Sequence, residues 1–278
     1  MRDAWIIAAA VTSAPPEPDQ ARWLRRPVRL GRIDRLSRLA LLAVDEALEG
    51  GAGDAGEGLG VVVGTCFGCH AANAAFAAGL FEGGSGAASP RIFAQTLPST
   101  PLGELAIHLG ARGPVETLAS GQHAGLEALG RAMRLCRDGR AETVIAVAVD
   151  EGGATLARMG IECASGATAF VVSAHRPAAG ALGRVLGAAS AFVGHDSRAA
   201  RLHAIERAVA DAGVTRAEIE VATGGEDEPG AVGVPAALVG RLRAAREIAP
   251  APVARQLLLV AADDESGAAA ALVIALAP

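Results

Sequence analysis

The chain has no tyrosine and no lysine, and aromatic residues make up only 3% of its 278 residues. Hydrophobic residues nevertheless account for 51% of the chain, so a substantial core must be built from small aliphatic side chains. Such side chains let helices pack closely on sheets, which favours a layered α/β architecture. The 30 acidic and 25 basic residues give a net charge of −5. This balance favours no polyanionic partner, so nucleic-acid binding is not expected.

Long apolar runs and an export signal are also lacking. The apolar runs are short and interrupted by glycine, which is not typical of membrane-spanning segments. The first residues do not combine a charged start, an apolar run and a cleavage site. We therefore expect a cytoplasmic protein without membrane contact. Four cysteines in such a chain are expected to be reduced thiols rather than a disulfide framework.

Apolar periodicity and capping residues predict the order of elements in the first part of the chain. A helix starts at a cap, Asp34, and ends at Gly50, and a buried strand follows at Leu59–Gly64. The elements predicted after them are a helix at Ala71–Phe81, a helix starting at Thr100-Pro101 with Thr100 as its cap, a strand at Val115–Ala119, a helix at Gln122–Arg137, and strands at Thr143–Val149 and Ala167–Ala174.

The second part repeats this order in compressed form. A helix at Ser197–Ala212, capped by Asp196 and ended by Gly213, precedes a strand at Ile219–Thr223, a helix at Ala231–Ala245 and strands at Leu257–Ala261 and Ala269–Leu276. The repeat predicts one domain, residues 1–278, built from pseudo-symmetric halves at about 1–178 and 179–278, with five layers in the order α/β/α/β/α. An ordinary doubly wound sheet is the alternative.

Several segments, taken in order, resemble one known family. They are Ile33–Ala40, Leu59–Thr65, Ser89–Pro101, Leu109–Pro114 and Ser120–Leu129. Together they resemble the β-ketoacyl synthases. The resemblance implies the thiolase-like fold of that family, with a C-terminal half that is shorter here.

The resemblance also implies that the catalytic positions are empty. In catalytic members a cysteine starts the helix after the short strand and forms an acyl thioester; Gln122 stands there in this chain, and a carboxamide cannot do this chemistry. The family's first histidine aligns with Gly224, and no histidine follows His203. We therefore predict no catalytic residue. The alternative for Gln122 is a helix cap that happens to occupy this position.

The pattern Gln-Xaa-Ala-Gly-Leu at this site resembles chain-length factors, the non-condensing partners of ketosynthases in type II polyketide and aryl-polyene-type pathways. The resemblance implies pairing with an active β-ketoacyl synthase, a shared acyl tunnel, contact with an acyl carrier protein through the complex, and no cofactor. In the family, the short strand before the nucleophile helix pairs across the dimer axis. The implied interface and tunnel residues are Phe93, Gln95, Leu97, Leu102, Glu116, Thr117, Leu118, Ala119, Gln122 and His123.

A function of another class stays open. The chain could be a stand-alone decarboxylase of malonyl-acyl carrier protein, or an acyltransferase, that uses displaced residues. His123, next to Gln122, is a conceivable replacement base, but a packed or interface histidine is the favoured interpretation because it has no nucleophile beside it to activate. His195 and Asp196 suggest a dyad, although Asp196 is already explained as a helix cap.

Two cysteine motifs and one run of arginines invite other interpretations. Cys66-Phe-Gly-Cys69-His70 has the spacing of a haem attachment site. The motif follows a buried strand and lacks an export context, so we predict no haem. It also lacks a clear fourth ligand for zinc, so we predict no metal. Cys163 mimics a nucleophile motif but leads into a strand instead of a helix. The seven arginines between Arg22 and Arg38 either receive an acidic carrier protein or, as we favour, form a solvated face.

Overall fold

A computed structural model describes residues 2–14, 30–49, 58–178, 180–221, 230–247 and 257–276. The elements are β1 (Trp5–Thr12), α1 (Arg35–Glu49), β2 (Gly60–Gly64), α2 (His70–Gly83), α3 (Pro90–Phe93), α4 (Thr100–Leu109), β3 (Val115–Leu118), α5 (Ala124–Arg137), β4 (Thr143–Asp150), α6 (Ala154–Arg158), β5 (Gly166–Ser173), β6 (Gly183–Phe192), α7 (Ser197–Ala212), β7 (Ile219–Val221), α8 (Gly233–Glu247), β8 (Leu257–Asp263) and β9 (Ala268–Leu276). Short 3-10 turns lie at Leu30–Arg32, Ser85–Ala87 and Arg216–Glu218.

Within the described residues, the strands form a nine-stranded sheet in the order β3-β2-β4-β5-β1-β6-β9-β8-β7. β2 runs parallel to both β3 and β4, while β5 is antiparallel to β4 and β1. β9 is antiparallel to β6 and β8, and β7 is parallel to β8. The pairing between β1 and β6 comprises only Trp5 with Arg184 and Ile6 with Gly183. The sheet thus consists of a β1–β5 part and a β6–β9 part joined by a short contact.

Helices cover these two parts of the sheet on separate faces. One buried cluster packs α1 and α4 against one face of the β1–β5 part. A second cluster contains α5 and α8 and contacts strands of both parts, and a third packs α7 against β6, β8 and β9. The predicted α/β class is confirmed. The five-layer order, the pseudo-symmetry of the halves and the single-domain division stay predictions.

The predicted helix caps at Asp34 and Asp196 are confirmed. Asp34 Oδ1 accepts from the Ser37 N–H at 2.9 Å, and Asp196 Oδ1 accepts from the Ala199 N–H at 2.8 Å. Such bonds satisfy backbone donors in the first helical turn that have no partner within the helix. Gly213 ends α7 in the left-handed conformation, as predicted. The predicted helix end at Gly50 and strand end at Thr223 lie outside the described residues.

One glycine fixes how closely α5 approaches the sheet. β2 is buried along its whole length, and a Cβ built at its last residue, Gly64, would overlap the backbone of Ala124 at the start of α5. Only a residue without a side chain fits there. The start of α5, where the family nucleophile would stand, is therefore held directly against the end of β2.

Some predicted boundaries were wrong, and four elements were not predicted. The helix expected from Gln122 begins at Ala124, and the residue at the N-cap of α4 is Ser99 instead of Thr100. β1, α3, α6 and β6 had no predicted counterpart. Among the described helices, none has the length and apolar character needed to cross a membrane.

Candidate functional site

Gln122 lies in a tight turn between β3 and α5. Gly121 adopts a positive φ of 100°, which favours glycine. The Ala124 N–H donates to the Gly121 carbonyl at 3.0 Å, which closes the turn, and His123 takes the N-cap position of α5. The sequence pattern placed Gln122 and His123 in the first turn of the helix. In the structure both residues belong to the turn that starts at Gly121, so Gln122 precedes the helix.

His123 is buried and lies between two carboxylates. Its Nδ1 is 3.1 Å from Asp264 Oδ2, and its Nε2 is 3.8 Å from Glu127 Oε2. The hydroxyl of Ser120 donates to the same Glu127 oxygen at 2.7 Å. The ring thus packs within this chain and has both nitrogens beside carboxylates. The role of His123 at a partner interface stays a prediction.

Asp264 comes from the turn between β8 and β9. Its Oδ1 accepts from the Ser266 N–H at 3.0 Å and from the Ser266 hydroxyl. A Cβ built at Gly121 would overlap Asp264 Oδ2. The C-terminal part of the chain therefore reaches the start of α5, although His123 and Asp264 are 141 positions apart. No local sequence pattern indicated this contact.

Asp150, at the end of β4, is a second buried carboxylate near the site. It accepts hydrogen bonds from the Thr65 hydroxyl at 2.8 Å, the Phe67 N–H at 2.9 Å, the Cys66 N–H at 3.0 Å and the Ala231 N–H at 2.6 Å. Burial raises the pKa of Asp150, and the four donors oppose that rise. The carboxylate connects the segment after β2 with the segment before α8. Its role was not predicted from the sequence either.

The thiols around the site are poor nucleophiles. The pKa of the Cys66 thiol is raised to about 12. Burial contributes most to this rise, and the charges of Asp150, Cys163 and Asp264 add to it. Cys69 occupies the N-cap of α2, but burial above all raises the pKa of its thiol to about 12, and the thiol donates to the Leu97 carbonyl at 3.0 Å. Because the thiolate is the reactive form, neither side chain is suited to form a thioester.

The side chains of the Cys66-Cys69-His70 motif are engaged with different partners. Cys69 bonds to the Leu97 carbonyl, whereas His70 Nε2 donates to the Glu151 carbonyl at 2.6 Å. Cys66 lies near Asp150 and Asp264. In the described part of the chain, no three His, Cys, Asp or Glu residues form a group that could hold a metal. Cys69 and His70 thus bond to different parts of the chain. That the motif binds neither haem nor metal stays a prediction.

Cys163 lies just before β5, as predicted, and no helix starts at it. A Cβ built at Gly230 would lie 3.3 Å from Cys163 Sγ and 3.1 Å from Asp150 Oδ2. Cys163, Asp150 and Cys66 therefore belong to one neighbourhood. Without a helix N-terminus at Cys163, the feature that lowers a thiol pKa in the family pattern is missing.

The strand β3 forms one edge of the described sheet. Val115 is 45% exposed, and Leu118 packs against the cluster that contains α5 and α8. Glu116 accepts two hydrogen bonds from Arg131, at 2.6 and 2.7 Å, which lower the pKa of Glu116. Leu118 is partly buried against this cluster, and its place at a partner interface stays a prediction. The backbone of β3 forms the open edge of the described sheet.

The other predicted interface residues lie in different surroundings. Phe93 and Leu97 are 59% and 58% exposed, and the Phe93 ring lies 5.3 Å from that of Phe76. Gln95 Nε2 donates to the Arg32 carbonyl at 3.0 Å. Leu102 is instead buried in the cluster of α1 and α4, so it is a core residue of this chain. Phe93 and Leu97 thus contribute to an exposed apolar surface.

Two sequence-based expectations lie outside the described residues, in whole or in part. Gly224, at the family's first histidine position, is one of them. The arginine run is described only from Arg32 onward. Arg35 Nη1 lies 3.8 Å from Glu151 Oε1 in a partly exposed ion pair. That pairing is consistent with a solvated face.

The family assignment follows from this fold together with a match to a family model. The model of the β-ketoacyl synthase N-terminal domain matches residues 8–193. The chain therefore belongs to the β-ketoacyl synthase family. The chain is 36% identical over 100 residues to the tetracenomycin polyketide synthase ketoacyl synthase alpha subunit of Streptomyces glaucescens, covering 34% of this chain and 24% of that relative.

A second curated relative matches over a shorter stretch. It is a putative polyketide beta-ketoacyl synthase 1 of Streptomyces cyaneus, 41% identical over 64 residues, which cover 23% of this chain and 15% of the relative. In both cases the matched stretch spans less than a quarter of the relative's own length.

Solved structures share the fold along the whole chain. The ishigamide ketosynthase/chain length factor aligns with a TM-score of 0.82 at 21% identity, covering 99% of each chain. A β-ketoacyl synthase from Burkholderia phymatum aligns with a TM-score of 0.75 at 13% identity, covering 99% of this chain and 100% of the other. A type II polyketide synthase ketosynthase, solved with its acyl carrier protein, aligns with a TM-score of 0.75 at 14% identity and 99% coverage of each chain. These likenesses establish the thiolase-like ketosynthase fold.

Proposed function

We propose that this chain is a non-catalytic, chain-length-factor-like subunit that pairs with an active β-ketoacyl synthase and helps to shape the acyl tunnel. The observation that carries this proposal is Gln122 in the turn that leads into α5. A family nucleophile at this position needs a thiolate, and a glutamine side chain can form no thioester.

The other thiols do not replace the missing nucleophile. Cys66, Cys69 and Cys136 each have a pKa raised to about 12, with burial as the first cause. Cys163 precedes a strand, so no helix dipole stabilises its thiolate. A decarboxylase or acyltransferase with displaced residues would need a reactive group among these or a free base. His123 is already engaged between Asp264 and Glu127.

Two surfaces support association with another chain. The edge of β3 leaves backbone donors and acceptors unpaired within the described residues, and such an edge is a template for strand pairing. Helix α2 has an apolar sequence but no buried residue. Phe81, within this helix, is exposed, and so are Phe93 and Leu97, which follow it in the chain. An exposed apolar surface of this kind is typical of an interface. An acyl carrier protein would be reached through the complex; one ketosynthase of similar fold was solved with its own carrier protein bound.

The absence of catalysis can be tested by intact mass spectrometry. The full chain is incubated with acyl- and malonyl-carrier protein. We expect no mass increase, because position 122 holds a carboxamide. We also expect no decarboxylated product, because glycine stands at the family's first histidine position and no histidine follows His203. A Gln122→Asn chain is the matched control and should behave identically. A stoichiometric thioester adduct, for example at Cys163, would contradict the proposed function.

A further inference from the structure

The Asp264 carboxylate lies against the turn that carries Gln122. Its Oδ2 is 3.1 Å from His123 Nδ1, and a Cβ at Gly121 would overlap the same oxygen. The carboxylate therefore contacts the chain directly before and directly after Gln122. The space in front of α5 already contains a charged side chain from the turn between β8 and β9.

Asp264 is held in this position by its own turn. Oδ1 accepts from the Ser266 N–H at 3.0 Å, from the Ser266 hydroxyl and from the Ala268 N–H at 3.4 Å. The Asp264 N–H donates to the Ala268 carbonyl at 3.0 Å. The side chain is only 11% exposed. Withdrawing the carboxylate from the site would break several of these bonds together.

Carboxylates predominate around Asp264, with His123 between two of them. Glu127 lies on the other side of His123. The charges of Asp150 and Asp264 both raise the pKa of the Cys66 thiol. In the described ranges, His123 is the one basic side chain within ion-pair distance of Asp264 or Glu127. An acidic acyl group that entered this site would meet fixed carboxylates in partly buried surroundings, where charge repulsion is stronger than in water.

We propose that Asp264 closes the site at position 122 to acidic acyl thioesters of the malonyl class. This inference rests on the proposed function, since it assumes that residue 122 is no longer a nucleophile. It adds a second and independent barrier: a thiol restored at position 122 would still not receive an acidic group. Asp264 thereby acts as a specificity-determining residue, which excludes extender groups from this subunit.

The proposal is tested with two alkylating reagents of similar size and different charge. In the full chain carrying Gln122→Cys, iodoacetamide and iodoacetate each form a thioether and release iodide. The rates are read by mass spectrometry on the peptide that contains position 122, so that the four native thiols do not contribute. We expect iodoacetamide to be preferred, and the preference to fall about tenfold when Asp264→Asn is added, because one nearby charge is removed.

The matched control removes the neighbouring charge outside the site. Asp263 pairs with Arg201 at 3.3 Å, so Gln122→Cys with Asp263→Asn should keep the original preference. A further variant, Gln122→Cys with Ser266→Ala, removes a hydroxyl that holds Asp264 in place but keeps the carboxylate, and it should lower the preference for iodoacetamide. If the Asp264→Asn chain does not fold, the reagent preference of this variant tests the proposal in its place.

Two outcomes would overturn the proposal. One is equal reactivity of both reagents in the Gln122→Cys chain, and the other is the same change of preference with Asp263→Asn as with Asp264→Asn. Neither outcome bears on the proposed function. Conversely, an acyl adduct on the unmodified chain would contradict the proposed function and leave the reagent preference unchanged.

Discussion

Replacing Thr117 with proline is expected to abolish association with a partner ketosynthase while the chain itself stays folded. The Val61 N–H donates to the Pro114 carbonyl at 2.9 Å, and the Thr65 N–H donates to the Leu118 carbonyl at 3.0 Å. Because hydrogen-bonding groups alternate along a strand, the backbone groups of Thr117 point to the open edge. Proline there removes an outward donor and no bond to β2, a position at which edge strands tolerate proline.

The expected effect of Thr117→Pro is loss of co-purification, with a change in the free energy of unfolding below about 1 kcal/mol. Thr117→Val is the matched control, because it keeps the N–H and the β-branched shape, and it should co-purify normally. Co-expression with a ketosynthase from the same gene neighbourhood and size-exclusion chromatography give the measurement. If the Thr117→Pro complex elutes intact, the edge of β3 is not the pairing surface.

Replacing Asp150 with alanine is expected to cause the largest loss of stability. The carboxylate is the acceptor for three backbone N–H groups and the Thr65 hydroxyl. Buried donors that lose their acceptor cost about 1–3 kcal/mol each, and part of this cost is recovered when water enters the gap. We therefore expect a decrease of about 3–5 kcal/mol in the free energy of unfolding.

Urea denaturation followed by circular dichroism measures this effect. Asp263→Ala is the matched control, since it removes a carboxylate that makes a partly exposed ion pair with Arg201; it should change stability by less than about 1 kcal/mol. An Asp150→Ala chain as stable as the Asp263→Ala chain would show that the four donors find other acceptors.

Local signals predicted the helices with strong caps. Asp34 and Asp196 precede α1 and α7 and bond to the first turns, so their effect is contained within a few residues of sequence. The start of α5 was misplaced because Gly121 forms a turn with positive φ. The pair Ser89-Pro90, which begins α3 with a side-chain cap, has the same form as Thr100-Pro101 and could have been recognised.

Strands β1 and β6 were also missed. The sequence of β6, GRVLGAASAF, is rich in alanine and glycine, which have little preference for strands. That of β1, WIIAAAVT, contains Trp, Ile, Val and Thr, which favour strands, and could have been recognised. Their place in the sheet is determined by pairing with β5 and β9, far along the chain. The contacts at the site are of the same kind, because His123 meets Asp264 over 141 positions and Asp150 meets Ala231 over 81. No local pattern contains such pairs.

The most direct test of the central claim is to locate the acyl group in the assembled complex. The chain and its partner ketosynthase are co-purified, incubated with acyl-carrier protein, and separated for intact mass spectrometry. We predict that the partner carries the whole acyl mass and that this chain, with Gln122 at the nucleophile position, carries none. An acyl group on this chain, or full acylation and elongation by the partner when this chain is left out, would contradict the assignment as a non-catalytic pairing subunit.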